Sequence, residues 1–356
     1  MTGDYEVFDA DGHVYELEAE LLAYLEPPYR DRQELLRQAL FPTTVDGWHR
    51  TARRIGAGAR NLVTEEITAK VWTKALDDTG MAGAVLYPTR GLHISLIISP
   101  DWAATLARGY NDWLHDRFLR VSPRLKGIAV LPMQNPLFAA AELRRAVTKL
   151  GMSGALLPGS GLAKFLGDPS YDPVYEAAQE LDIMLAVHAA FAPKGLGLNF
   201  DAFDRLIYHE CVMHPVTQMI QFTHMLLGGV FERFPRLRVG YMEAGATWVL
   251  GMMERIHHKW NERTRLELGL KKDPMEQLRS GRLFFEADLE DPFLPYVVKE
   301  VGDQALVYSS DFPHFVQPSA VVESFATFRN RGDLSEQTKR RILGENARRL
   351  YGLTRN

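Results

Sequence analysis

The sequence contains one cysteine, Cys211, so no internal disulfide can form, and we expect this thiol to be a buried, inert side chain. The sequence also lacks an excess of either charge, since 41 Lys and Arg residues nearly balance 45 Asp and Glu residues. This balance argues against binding to nucleic acid or to an anionic membrane surface. No apolar run approaches the roughly 18 residues of a membrane span, and the acidic N-terminal residues do not resemble a signal peptide. These absences predict a cytoplasmic protein.

Apolar residues make up 46% of the 356 positions and are concentrated in short runs that alternate with helical patterns. Eight runs are predicted to be strands, at 5–9, 82–87, 127–131, 154–157, 183–188, 237–243, 283–288 and 305–311. Most are continuously apolar, as is typical of parallel strands that are buried on both faces. This alternation predicts an α/β fold, a (β/α)8 TIM barrel formed as a single domain over residues 1–356. A doubly wound open sheet is the alternative, but no glycine-rich nucleotide loop follows a predicted strand.

A long stretch separates the first two predicted strands, covering about residues 14–81. It contains the turn-like segment Glu26–Tyr29 and a piece rich in Gly, Ala and Arg at residues 53–60. We interpret the stretch as a lid-like insertion with short helices of its own that covers the active face of the barrel.

Ionisable side chains gather at the ends of the predicted strands. The first strand runs into Asp11 and His13, the fifth ends at His188, the sixth at Glu243 and the eighth at Asp311. Because the strands of a parallel barrel end at one mouth, these side chains should converge there. Converging carboxylates and imidazoles would repel and desolvate one another unless a cation held them. The sequence therefore predicts a divalent metal site with Asp11, His13, His188 and Asp311 as ligands.

Four motifs point to a family. They are Phe8–His13 with Glu16 close behind, the link Gly228–Leu237 into strand six, Ser310–His314 at strand eight and the closing-helix segment Gly344–Leu350. In combination they resemble the amidohydrolase-related metal-dependent barrels that include aminocarboxymuconate-semialdehyde decarboxylase and γ-resorcylate decarboxylase. The resemblance covers nearly the whole chain. It implies a (β/α)8 fold, metal ligands at the four positions named above, and is compatible with a homodimer.

Glu243 departs from the pattern of that family. The related decarboxylases carry a strand-six histidine that handles protons, whereas this chain has the segment Tyr241–Gly245 with Glu243 at that place. A carboxylate there could bind a second metal ion. Glu16 and His224 would add a further carboxylate and imidazole, although a mid-helix histidine is more often a packing or surface residue. Two additional candidates near the mouth are Asp288 and His314.

The ligand count predicts a dinuclear centre, with Asp311 and Glu243 as catalytic residues. The pattern resembles a small branch of the superfamily containing di-iron monooxygenases that hydroxylate terpenoid acyl thioesters, and this resemblance implies two iron ions that activate dioxygen. The expected partner is a small, mostly apolar organic acid or acyl thioester. The alternative is a hydrolase or non-oxidative decarboxylase that uses one Zn²⁺ or Mn²⁺, with Asp311 taking a proton from metal-bound water. A barrel that has lost catalysis and only binds a ligand is a second alternative.

Overall fold

The computed structural model describes residues 5–32, 39–42, 66–189, 203, 206–314 and 316–353. Its centre is a sheet of eight parallel strands in sequential order. The strands are β1 (Val7–Val14), β2 (Met81–Pro88), β3 (Leu125–Ala129), β4 (Gly154–Pro158), β5 (Met184–His188), β6 (Arg238–Met242), β7 (Leu283–Glu286) and β8 (Leu306–Val307). The sequential order confirms the predicted (β/α)8 barrel and not the doubly wound sheet, whose strand order would reverse.

The barrel closes between β1 and the residues that follow β8. The Ala10 N–H donates to the Tyr308 carbonyl at 3.0 Å. The Ser310 N–H and hydroxyl donate to the two carboxylate oxygens of Asp9 at 2.9 and 2.5 Å. Asp9 is fully buried, and this burial raises its pKa to about 6. These bonds bring the two ends of the chain to one seam.

Helices follow the strands and form the outer layer. They are α1 (Glu18–Leu22), α2 (Ala69–Thr79), α3 (Pro100–Leu114), α4 (Pro136–Leu150), α5 (Asp172–Glu180), α6 (Leu206–Leu227), α7 (Val230–Arg233), α8 (Trp248–Lys259), α9 (Glu262–Leu268), α10 (Pro274–Leu278), α11 (Leu294–Glu300), α12 (Pro318–Arg329), α13 (Glu336–Arg340) and α14 (Asn346–Tyr351). Short 3-10 or π turns lie at Tyr29–Asp31, Gly91–Leu96, His115–Leu119, Pro169–Tyr171, Asp303–Ala305 and Arg341–Glu345.

Local sequence explains where α3 and α4 begin and end. Ser99 and Asn135 cap them by accepting backbone N–H groups of the first turn. Pro100 and Pro136 follow directly, at the one helical position where a missing N–H costs nothing. Gly151 ends α4 with a φ of 68°, which a residue without a Cβ adopts readily.

Three of the boundaries that differ from the sequence prediction bear on the site. β1 continues through the acidic motif to Val14, because this end of the strand is buried inside the barrel. The sequence predicts a helix over 216–231, whereas α6 begins at Leu206 and carries Pro215 inside it. β8 has only two paired residues, and residues 308, 310 and 311 bond individually to β1 at the seam.

The described parts of the predicted insertion, about residues 14–81, are mostly helical. α1 follows β1, and α2 packs against α12 and leads directly into β2. Residues 33–38 and 43–65 of the predicted lid lie outside the described residues, so the lid and the single domain stay predictions. Among the described residues, no helix is long and apolar enough to span a bilayer.

Candidate metal centre

β1 supplies Asp11 and His13, whose side chains are buried. His13 Nδ1 lies 2.9 Å from the Pro88 carbonyl at the end of β2, and its Nε2 lies 3.4 Å from Asp11 Oδ1. From α2, the Trp72 indole N–H donates to the His13 carbonyl at 2.9 Å. Gly12 makes this approach feasible, because a Cβ at that position would lie 2.3 Å from the Trp72 ring. The indole thus fixes the backbone between the two candidate ligands.

β5 supplies His188, which is fully buried. Its Nδ1 lies 2.6 Å from the Ala189 carbonyl, and its Nε2 lies 3.2 Å from Asp11 Oδ2. Asp11, His13 and His188 each offer one ligand atom, and these atoms lie within 4.8 Å of one another. Two imidazoles and a carboxylate at this spacing form half or more of a zinc or manganese coordination shell.

Three polar atoms at the centre of this group have no hydrogen-bond partner among the described residues. They are Asp11 Oδ1, His13 Nε2 and His188 Nε2. Burial, reinforced by the charges of Glu286 and Asp311, raises the pKa of Asp11 well above its usual range. Burial lowers the pKa of His13 well below its usual range, and the neighbouring imidazoles add to this. Since buried polar atoms are normally satisfied, three orphaned atoms that face one another fit a bound cation, which would favour the ionised carboxylate of Asp11 and the neutral imidazole of His13.

Asp311 joins this group from the segment after β8. Its Oδ1 lies 3.4 Å from His13 Nε2 and 2.8 Å from His314 Nδ1. About 33% of its side chain is exposed, so it also faces the barrel mouth. His314 stacks on His13 with ring centroids 4.0 Å apart, and its Nε2 lies 2.7 Å from Thr89 Oγ1. His314 therefore holds Asp311 in place with one nitrogen and is anchored to the β2 end by the other.

Glu243 lies on the far side of His188 from Asp11. It directly follows β6, and its Oε2 is 3.4 Å from His188 Nδ1. Its Oε1 is 3.9 Å from Nδ1 of His214, a residue of α6. Burial raises the pKa of Glu243 well above its usual range, and the charges of Asp311 and Asp11 act in the same direction. Glu243 and Asp311 both have positive φ angles, 56° and 53°, a strained conformation that is concentrated at functional sites.

Of the two carboxylates near the end of β7, Glu286 faces the site and Asp288 does not. Glu286 Oε1 accepts the Ser309 hydroxyl at 2.7 Å, and burial raises the pKa of Glu286. Asp288 is exposed and accepts the N–H of Glu290 at 3.0 Å. Residues two apart in a strand point to one side, but the strand ends at Glu286 and Asp288 lies beyond it.

Two other predicted ligands lie away from the group. Both carboxylate oxygens of Glu16 accept backbone N–H groups, at 2.9 Å from Arg90 and 2.8 Å from Gly91, so Glu16 caps the turn after β2. His224 is exposed, and its ring lies against Phe165 with centroids 4.6 Å apart. The structure does not bring Glu16 or His224 to the other candidates. His224 lies away from the other candidates because α6 presents a different face to the barrel at that turn.

A cavity of about 690 Å³ opens in front of the metal-ligand candidates. Its charged end contains Glu243, Glu286 and Asp311, and its walls include Leu289 and Val321. Cys211 lines the same cavity and is exposed, so the expectation of a buried thiol is wrong. The residue lies on the first turns of α6, whose start the sequence placed too late.

Sequence reasoning missed His214 and did not select Glu286. A signal for His214 exists, because it shares a helical spacing of four and seven residues with Gln218 and Gln221, and all three are buried. The Gln218 amide donates to the carbonyls of Val187 and Met242 at 3.1 and 2.7 Å, and so ties the ends of β5 and β6 together. A polar stripe on an otherwise apolar helix thus marks the face that lies against the site.

Comparison with known proteins finds the family that the sequence motifs resemble. A family model described as amidohydrolase matches residues 74–353. The chain is 28% identical over 262 residues to 2-amino-3-carboxymuconate-6-semialdehyde decarboxylase of Dictyostelium discoideum, covering 72% of this chain and 69% of that protein. It is also 28% identical over 279 residues to a γ-resorcylate decarboxylase of a Polaromonas species, covering 74% of this chain and 81% of that protein.

A solved structure extends the likeness to the whole barrel. The 5-carboxyvanillate decarboxylase of Novosphingobium aromaticivorans, in complex with manganese and 4-hydroxy-3-methoxy-5-nitrobenzoic acid, superposes with a TM-score of 0.70. The match covers 98% of this chain and 97% of the other at 21% sequence identity. At that identity the likeness establishes the fold.

Proposed function

The chain belongs to the amidohydrolase family, and we propose that it is a metal-dependent, non-oxidative decarboxylase of a small organic acid. The observation that carries this proposal is the group of orphaned, buried atoms on Asp11, His13 and His188. The relatives named above are decarboxylases, so they support this alternative better than the di-iron monooxygenase predicted from the sequence.

The donor set suits a single divalent cation. Asp11, His13, His188 and Asp311 would hold it, and the Nδ1 contacts of the two histidines to carbonyls at 2.9 and 2.6 Å favour the tautomer whose Nε2 is free to coordinate. Neutral imidazole and carboxylate ligands suit Zn²⁺ or Mn²⁺ equally by type. Manganese is favoured here, because it is the ion in the similar barrel.

When bound, the cation would supply a Lewis acid that holds an acidic group of the substrate and stabilises developing negative charge. In the proposed reaction the bond between the carboxylate and its carbon breaks, the electron pair remains on that carbon, and a proton replaces the departing CO2. Asp311 lies between the metal ligands and the cavity, so we assign it this proton transfer. His314, 2.8 Å away, keeps its carboxylate in position. The apolar cavity wall at Leu289 and Val321 would limit access of water.

Glu243 takes the place where the related decarboxylases carry a histidine. Its raised pKa favours the protonated carboxyl, a form that could donate a proton as the imidazolium would. Its contact with His214 supports this second proton-handling role. We therefore keep Asp311 and Glu243 as the catalytic candidates.

The proposal is tested by CO2 release under strict anaerobiosis. Manganese-loaded protein is incubated with a panel of hydroxybenzoic and carboxyvanillic acids, and CO2 and the decarboxylated product are measured. We expect release that needs no dioxygen and is abolished by Asp311→Asn. Turnover of an acid or thioester that consumes dioxygen, with no CO2 released anaerobically, would contradict the proposal.

One observation favours a dinuclear oxidative centre as a second candidate. Glu243 and His214 offer a carboxylate and an imidazole on the Nδ1 side of His188, apart from the first group. A second ion there would make the two-iron prediction feasible. Metal analysis after purification with iron decides between the two, since the oxidative centre requires two iron ions per chain and dioxygen uptake with substrate.

A further inference from the structure

The cavity in front of the metal-ligand candidates carries charge of one sign. Its described lining contains four carboxylates, at Glu286, Asp288, Glu290 and Asp311, besides the carboxyl of Glu243 that is assigned a proton above. No Lys or Arg side chain belongs to that lining within the part of the chain that the structure describes. One divalent cation could neutralise the innermost carboxylates, but the remainder of the cavity would stay anionic. Such a cavity disfavours a ligand that brings several negative charges.

One carboxylate oxygen of Glu286 has no hydrogen-bond donor among the described residues. Its Oε1 accepts the Ser309 hydroxyl at 2.7 Å. Its Oε2 is buried and has no hydrogen-bond partner among the described residues. A buried carboxylate oxygen without a donor is unfavourable, so a donor from outside the chain would relieve it. The Ser309 hydroxyl hydrogen is used in the bond to Glu286. These two side chains therefore present only hydrogen-bond acceptors.

Glu286 stands apart from the two groups of metal-ligand atoms. Those groups are Asp11, His13 and His188, and His13, Asp311 and His314, in the described part of the chain. Glu286 belongs to neither, although its charge is close enough to raise the pKa of Asp11. The Glu286 side chain thus lies beside the metal-ligand candidates and lines the cavity, where the body of a metal-bound acid would lie.

We propose that Glu286 determines substrate specificity by accepting a hydrogen bond from a neutral hydroxyl or amine of the substrate and by repelling a second negative charge. The substrate class is therefore an acid with one carboxylate, held at the metal, and an uncharged donor on an otherwise apolar body. The walls at Leu289, Val316 and Val321 suit such a body. This inference rests on the proposed function, because it places the first carboxylate at the metal.

The test measures binding and does not need turnover. Manganese-loaded full-length protein is titrated by calorimetry with benzoate, with 2-, 3- and 4-hydroxybenzoate, and with phthalate, isophthalate and terephthalate. The best hydroxybenzoate should bind at least about tenfold more tightly than the best dicarboxylate, since like charges a few ångströms apart in a partly buried site interact strongly. In Glu286→Gln the best dicarboxylate should tighten about tenfold, the best hydroxybenzoate should weaken several-fold, and benzoate should stay within about twofold.

Two further variants separate this role from general effects. Glu323→Gln makes the same chemical change at an exposed residue of α12 that lies outside the cavity lining. It should leave all affinities within about twofold. Ser309→Ala keeps the carboxylate but removes its hydrogen-bond partner, so discrimination between the two ligand classes should fall without reversing. If Glu286→Gln does not fold, Ser309→Ala still tests the inference.

The outcomes distinguish the inference from its premise. Loss of the manganese in Glu286→Gln would make Glu286 a metal ligand and overturn the inference. Equal binding of dicarboxylates and hydroxybenzoates to manganese-loaded wild type would overturn it while leaving the proposed function intact. Wild type that holds no metal, or that binds none of these carboxylates, would overturn the proposed function and with it this inference.

Discussion

His13 Nε2 lies 3.4 Å from Asp311 Oδ1, although the two residues come from opposite ends of the chain. Backbone bonds make the contact: the Asp311 N–H donates to the Asp11 carbonyl at 3.1 Å, and the His13 N–H donates to the Phe312 carbonyl at 2.7 Å. Three of the four metal-ligand candidates, Asp11, His13 and Asp311, therefore lie at the seam where the barrel closes. A cation bound across this seam would stabilise the fold as well as supply chemistry.

Replacing His188 by alanine should remove the metal. The substitution deletes one of three converging ligand atoms, and we expect metal content per chain to fall below about a tenth of wild type after dialysis. Elemental analysis of the purified protein measures this. His224→Ala and Asp288→Asn serve as controls, because both side chains are exposed and lie outside the ligand groups of the described residues. Full metal content in His188→Ala would refute the assigned centre.

Replacing Asp311 by asparagine should slow proton transfer strongly and affect substrate binding little. Asparagine keeps the shape and one acceptor, so at saturating manganese we expect kcat to fall by about 10²–10⁴-fold while KM changes little. Steady-state CO2 release measures both constants. Asp101→Asn, on the exposed first turn of α3, is the matched control. An Asp311→Asn enzyme with near-normal kcat would show that another group handles the proton.

Adding a methyl group at Gly12 should damage both stability and metal binding. The new Cβ would lie 2.3 Å from the Trp72 ring, and the resulting overpacking should lower the free energy of unfolding by about 1–3 kcal/mol. The strained β1 should also hold its two ligands less well. Gly251→Ala is the control, since nothing lies within 4 Å of a Cβ there, and it should be neutral or stabilising by up to about 1 kcal/mol. Denaturation midpoints and metal content test both variants.

His93 should make the protein less stable as the pH falls from about 6.5 to about 4. Burial, aided by the charge of Arg90, lowers the pKa of His93 in the folded state from 6.5 to about 4. In that range the unfolded chain binds the proton more readily, so acidification favours unfolding, by about 3 kcal/mol at most for this one residue.

The matching variant is His93→Gln, which cannot titrate. Its free energy of unfolding relative to wild type should rise as the pH drops through this window and stay constant above about pH 7. Urea denaturation of both proteins at several pH values measures the difference, in which the contributions of all other groups cancel. A difference that does not change with pH would mean that His93 has the same pKa in the folded and unfolded states, which would contradict the assigned shift.

The sequence alone determined the architecture and predicted which side chains converge at the candidate metal centre. Continuous apolar runs that alternate with helical patterns are visible in the local sequence. They predict a parallel barrel regardless of the conformations of the loops. Because every strand of such a barrel ends at one mouth, Asp11, His13, His188 and Asp311 could be assigned together from their positions at strand ends.

The tertiary structure decided the rest of the site. How close a carboxylate comes to the metal-ligand candidates depends on where β7 stops, and this turned Glu286 towards them and left Asp288 exposed at the cavity. Which histidine of α6 reaches the mouth depends on the helix starting before Pro215, and this brought His214 and not His224 to Glu243. Glu16 binds backbone N–H groups after β2, a partner that becomes visible only when the chain has folded. These choices follow from register and packing between distant segments, which no local pattern encodes.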